Sequence, residues 1–145
     1  MVVFSSCITG IKCRYNGSSS YNEELLKSIN ENFIHICPEV LAGLKTPRKP
    51  CEIYRGSGED VLDGNAKIID KDGIDITEQM VNGAKKALKK CIENKVTKAY
   101  LKAKSPTCGY GKIYDGTFSS ILIKGNGIFS ALLIKNGIHV IEVEK

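Results

Sequence analysis

No stretch of this 145-residue sequence approaches the ~20 consecutive apolar residues that a membrane span requires. The N-terminus has no basic segment followed by an apolar core, so no secretion signal is expected and the chain reads as cytoplasmic. Cys-x-x-Cys is absent, which argues against a zinc ribbon and against a thioredoxin-like redox pair. Internal repeats and low-complexity segments are absent too. Gly109-Tyr110-Gly111-Lys112 is a fragment of a phosphate loop without the Walker spacing, and Gly125-Asn126-Gly127 reads as a turn more readily than as an anion site. Histidine is scarce. His35 and His139, the two in the chain, sit inside apolar strand-like runs, where a core or surface histidine is a better reading than a ligand.

What remains is an ordinary globular composition, 42% hydrophobic and 26% charged. The length fits one domain over residues 1–145. A chain of this size buries roughly 70% of its unfolded surface without disulfide staples. The net charge of +5 weakly favours anionic partners. The surplus lysines occupy one helix face instead of alternating with aromatics, so nucleic-acid binding is permitted but not signalled. Six cysteines in a reducing compartment point to metal binding or catalysis before disulfides.

Apolar runs at 1–6, 33–36, 96–103 and 138–143 read as strands. Tyr21, Leu25, Leu26 and Ile29 recur at helical spacing, with Ser20 and Glu23 as a capping box, and predict a helix over 21–31. A long helix capped by Thr77 has Met80, Val81, Ala84, Ala87, Leu88, Cys91 and Ile92 as its apolar stripe. Asp72-Gly73 predicts a hairpin between 67–70 and 74–76. Residues 41–64 are loose, with a short strand and turn over 53–58, and Ile121 to Ile123 is a further strand candidate. Gly127 opens a short helix over 128–135, and Asn136-Gly137 ends it. Strands separated by helices make the expected fold α/β: a single three-layer, Rossmann-like domain with a mostly parallel central sheet.

Three of the strands run into a cysteine: 1–6 into Cys7, 33–36 into Cys37, and 96–103 into the turn Ser105-Pro106-Thr107-Cys108-Gly109. In a parallel sheet such ends share one rim, where α/β proteins place their chemistry. Either these are three buried cysteines near strand ends or they meet as a thiolate site. Soft thiolates select iron–sulfur clusters, zinc or cuprous copper. Three protein ligands would leave one metal position open to substrate. Cys91, on the long helix, reads as a core residue. Cys51 reads as structural or incidental, and Cys13 as a loop residue with a lesser claim to be a fourth ligand. Glu39 and Ser105 stand close in sequence to Cys37 and Cys108, where a carboxylate can move a proton and a hydroxyl can position water. Each is equally readable as a cap or turn residue. Arg14, Arg48 and Lys104 supply positive charge to the same segments or are simply solvated.

Ser5-Ser6-Cys7-Ile8-Thr9-Gly10 with Arg14-Tyr15-Asn16-Gly17, Cys37-Pro38-Glu39-Val40-Leu41-Ala42-Gly43-Leu44 with Thr46-Pro47-Arg48, and Lys104 to Gly109 with Tyr114-Asp115-Gly116-Thr117-Phe118 together resemble the thiouracil desulfidase family, in the family's order. The chain departs from the pattern in having Asn16 in place of an aspartate and Cys51 in place of a small apolar residue. The resemblance implies a [4Fe–4S] cluster held by Cys7, Cys37 and Cys108, with one iron not bound by a protein cysteine. It implies a small thiolated nucleobase as substrate, cleaved at C–S without net redox change to uracil and sulfide. It also implies proton transfer for Glu39 and hydrogen bonding or water positioning for Ser105. No oligomeric state is implied. Competing readings are desulfuration of thiolated nucleotides in RNA, a non-catalytic cluster or zinc module, and a metal-free sulfur carrier with Cys108 as nucleophile.

Overall fold

A computed structural model describes residues 1–144. In chain order the elements are β1 (Val2–Ser5), α1 (Glu23–Ser28), β2 (Phe33–Ile36), α2 (Pro38–Leu41), β3 (Cys51–Tyr54), α3 (Gly58–Leu62), β4 (Lys67–Asp70), α4 (Thr77–Glu93), β5 (Lys98–Lys102), β6 (Lys112–Tyr114), β7 (Leu122–Lys124), α5 (Ile128–Lys135) and β8 (His139–Val143). The four apolar runs form one sheet in the order β2-β1-β5-β8, and every neighbouring pair is parallel. The sheet is therefore wholly parallel, and the antiparallel pairs β3–β4 and β6–β7 stand apart from it.

Burial on both faces explains why the central strands are continuous apolar runs. Along β1, Val2 and Phe4 point to one face and Val3 to the other, all three fully buried. The first face packs against Leu25 and Leu26 of α1 and against Ile29. There Phe4 stacks on Tyr100 and meets Phe33 edge-on, each with ring centroids 5.0 Å apart. The other face, with Val3, Ala99, Leu101 and Val140, packs on Met80, Ala84 and Ala87 of α4 and on Phe129 and Leu133 of α5. The chain leaves β1 toward β2 on one side and leaves β5 toward β8 on the other. The order thus reverses between β1 and β5, and a crevice forms at the carboxyl ends of those two strands.

Several local expectations are corrected. Asn22, not Ser20, caps α1, its side chain accepting the Leu25 N–H at 3.0 Å. Ser20 is drawn away because its own N–H donates to the Cys7 carbonyl. The hairpin about Asp72-Gly73 is present but short, with a single bridge, Ile69 to Asp75, and the longer pairing of β4 is with β3. The Asp70 carboxylate accepts the N–H groups of Asp72 and Ile74, folding the link into a side-chain-locked turn. Helix α4 starts at Thr77 with Ile76 at the cap position, and Ile92 lies off its buried stripe, 55% exposed. A short helix, α2, ends at Leu41 where the stretch read as loose begins, and a second, α3, lies within that stretch; Ser57 and Asp60 form the capping box of α3.

Helix α4 seats α2 through Gly83. A Cβ there would stand 2.4 Å from the Pro38 carbonyl oxygen and 2.6 Å from the Ala42 Cβ. The better helix propensity of alanine cannot offset an overlap with backbone. Gly83→Ala is expected to lower stability by about 1–3 kcal/mol. The check is a fall in the urea midpoint at an unchanged denaturant slope.

Candidate active site

Cys7 lies in the 3₁₀ turn Ser6–Thr9 that follows β1 directly. Cys37 is the residue between β2 and α2, with Pro38 at the first helical position, where its missing N–H costs nothing. Cys108 sits in the turn after β5. Its N–H donates to Ser105 Oγ at 2.7 Å, and its carbonyl accepts the Ser130 hydroxyl at 2.9 Å. That turn is bolted to α5. The helix has no side-chain N-cap; its first N–H groups, from Ile128, Phe129 and Ser130, donate instead to the carbonyls of Pro106 and Thr107. Only glycine fits at 127, since a Cβ would stand 2.4 Å from the Thr107 oxygen. All six cysteines are free thiols. Cys7, Cys37 and Cys108 line one cavity of about 500 Å³, together with Glu39 and Ser105.

The site also holds a thiol that the sequence placed in a polar loop. Cys13 is 4% exposed and lines the same cavity as Cys7 and Cys37. Its neighbours Cys37 and Cys7, with burial, push the Cys13 thiol far above its usual range. Cys13, aided by Ser20 and Lys102, holds Cys7 below its ordinary value against burial and the Glu39 charge. Burial, followed by the Glu39 charge, pushes Cys108 well up, so this sulfur keeps its proton until a cation displaces it. Cys51 also lines the cavity, and burial pushes its thiol up to about 12. Cys91 is elsewhere, inside the core on α4, pushed up to about 12 by burial alone. His35 and His139 are exposed and do not line the cavity. Arg14, Arg48, Lys102 and Lys104 do.

Glu39 is held on both oxygens. One accepts the Thr107 hydroxyl at 2.9 Å and stands 4.0 Å from the Cys37 sulfur; the other pairs with Arg48 at 3.4 Å. Arg48 donates as well to the Cys13 carbonyl, tying the first loop to the carboxylate. Ser105 and Thr107 hydroxyls are 3.2 Å apart. Thr107 has one proton and gives it to Glu39, so Ser105 is the donor in that contact. The result is a directed chain, Ser105 to Thr107 to Glu39. Thr107, fully buried, is the member that sequence reasoning missed. Its signal was present in the Ser-Pro-Thr-Cys run, where a turn explained the residue sufficiently. Also missed was Glu52 of β3, a buried carboxylate that shares the cavity wall.

The donor set fits a thiolate-bound metal group: Cys7, Cys37 and Cys108 place soft sulfurs around one shared, largely buried space, and soft thiolates hold iron–sulfur clusters or zinc.

The family model for 2-thiouracil desulfurase matches residues 2–145. The uncharacterized protein YbbK of Bacillus subtilis (strain 168) is 47% identical over 142 residues, covering 97% of this chain and 94% of its own. Among solved structures, the [4Fe-4S]-dependent thiouracil desulfidase TudS superposes with a TM-score of 0.84 at 33% identity, over 97% of this chain and 89% of that one. The wholly parallel sheet, its flanking helices and the match along nearly all of the sequence lead to one statement: the chain belongs to the 2-thiouracil desulfurase family.

Proposed function

We propose that the protein is a [4Fe–4S]-dependent thiouracil desulfidase that converts thiouracil and water to uracil and hydrogen sulfide. The atoms balance without electron transfer: the C=S sulfur leaves as sulfide, water oxygen takes its place, and both water protons end on the departing sulfur. The observation that carries this reading is Glu39, fixed between Arg48 and Thr107 in the cavity that three strand-end cysteines line. Cys7, Cys37 and Cys108 would hold the cluster. When bound, it supplies an iron that acts as a thiophilic Lewis acid on the C=S bond.

The remaining work falls to this chain's own side chains. A carboxylate offers about four lone-pair sites, so Glu39 accepts from Thr107 and Arg48 and still has room for a water proton. Ser105 Oγ has two lone pairs: one takes the Cys108 N–H, and the other is free to take the second water proton. With both hydrogens engaged, the water lone pair is directed at the ring carbon, and Glu39 removes the proton as the C–O bond forms. Burial of Thr107 and Cys108 keeps bulk water away from this arrangement. No helix among the described residues is long and apolar enough to cross a membrane.

The test is release of sulfide and uracil from 2-thiouracil by protein reconstituted anaerobically with iron and sulfide, compared with cluster-free protein. Stoichiometric release by the loaded sample alone is expected. A loaded protein that leaves 2-thiouracil intact would refute the reading.

A further inference from the structure

The loop 115–120 is anchored more heavily than a surface connection needs. Glu52 is 8% exposed, and one of its carboxylate oxygens accepts the N–H of Gly116 at 3.0 Å and the N–H of Phe118 at 3.2 Å. A carboxylate is buried at a cost unless hydrogen bonds offset it, so this pair of bonds defines the loop. Gly116 is pressed onto β3: its φ is +93°, and a Cβ would stand 2.5 Å from the Ile53 oxygen. Phe118 and Ser120 have φ of +56° and +60°, which side-chain-bearing residues adopt at a cost. Such conformations persist where the surroundings impose them. Here the imposed product is one aromatic side chain, Phe118, half-buried on the wall of the cavity that also contains Cys37, Cys108 and Glu39. Tyr15, Tyr114 and apolar residues such as Ile36, Pro50 and Ala103 share that wall; among its aromatic residues Phe118 is the one held at positive φ, by a backbone bond to a buried carboxylate.

Resting on the desulfidase reading above, we propose that Phe118 is the stacking surface for the pyrimidine ring. Glu52 acts as its positioning residue, holding the loop through the two N–H groups. Substrate choice follows: Phe118 favours a planar ring bearing the C=S group over an acyclic thioamide, while Glu39 serves the water that attacks the sulfur-bearing carbon.

Uracil carries no sulfur, so its binding can be read independently of turnover. With cluster-loaded protein, Phe118→Ala is expected to weaken uracil binding about 5- to 150-fold, the range that loss of one base–aromatic stack produces. KM for 2-thiouracil should rise by a similar factor while kcat and iron content stay within about twofold, as expected when uniform binding is removed. Glu52→Ala should follow Phe118→Ala, and Glu52→Gln should restore binding, because the amide oxygen still accepts both N–H groups. Should Glu52→Ala fail to fold, the Phe118 variant alone decides. Unchanged uracil binding and KM in Phe118→Ala would overturn the assignment, as would a wild-type protein that binds neither pyrimidine. A wild-type protein that binds uracil through Phe118 yet releases no sulfide from 2-thiouracil would overturn the desulfidase reading and leave the stacking assignment standing.

Discussion

A Cys108→Ala protein is expected to remain folded, to retain no stable cluster and to release no sulfide above the cluster-free background. The backbone at this position is held without the sulfur. Its N–H rests on Ser105, its carbonyl takes the Ser130 hydroxyl, and the turn is fastened to α5. Losing one buried sulfur leaves a small cavity that costs about 1 kcal/mol, well within the stability of a domain. The chemical loss is of another order, because the proposed set of three ligands loses one. Cys91→Ala is the matched control: an equally buried thiol, remote from the cavity, whose removal should leave iron content and turnover unchanged. Iron analysis, visible absorption of the reconstituted protein and thermal melting measure the three quantities. If Cys108→Ala keeps full iron and turnover, the ligand set is wrong, and Cys13, on the same cavity wall as Cys7 and Cys37, is the replacement to test.

Glu39→Gln is expected to lower kcat by about 10²- to 10⁴-fold, the usual contribution of a positioned acid–base group. Iron content should be unchanged. Glutamine is nearly isosteric and can still accept the Thr107 hydroxyl through its amide oxygen, so the variant removes proton-accepting capacity more than shape. It also leaves Arg48, whose side chain is only 11% exposed, without its anionic partner, and a moderate loss of stability should accompany the kinetic effect. Thr107→Val separates the two. It deletes the hydroxyl that orients Glu39 and accepts from Ser105 while keeping the charge pair, and about a 10-fold fall in kcat is expected. A Glu39→Gln enzyme with wild-type kcat would remove Glu39 from the chemistry and leave it as the anchor of Arg48.

Most of the frame was legible because parallel sheets write themselves into sequence. A strand buried on both faces must be apolar throughout, and Val2-Val3-Phe4 and Ala99-Tyr100-Leu101 at the centre of the sheet are. The three strand-end cysteines were found for the same reason, since a strand that ends also locates the rim. The cap of α1 was misassigned because Ser20 and Asn22 are both good caps, and the choice was made by a distant acceptor, the Cys7 carbonyl that takes the Ser20 N–H. Helix α2 and the stretch 41–64, which holds α3, stayed opaque because both helices are about one turn long and depend on what they pack against. Gly83 of α4 admits α2, and the Asn126 carbonyl receives the Gly58 N–H at the start of α3. Thr107 and Glu52 were invisible as site residues, and Cys13 had only a lesser claim, for a related reason. A thiol, a hydroxyl and a carboxylate in loop-like surroundings read as solvated until tertiary structure closes over them.

The bolting of the Cys108 turn onto α5 bears on when the site can exist during synthesis. Residues emerge from the ribosome in order, and domains fold as units once enough of the chain is available. Cys7 and Cys37 emerge early, but they gain their third companion only when β5 has joined β1. That companion is then held by carbonyls that need the N–H groups of a helix made later still. A nascent chain that stops short of Ile128 carries all six thiols but lacks the helix that fastens the Cys108 turn beside Cys7 and Cys37. On the proposed ligand set, iron delivery is an event in the life of the nearly finished protein. Stalled or truncated products should remain iron-free, exposing reactive thiols for quality control to find.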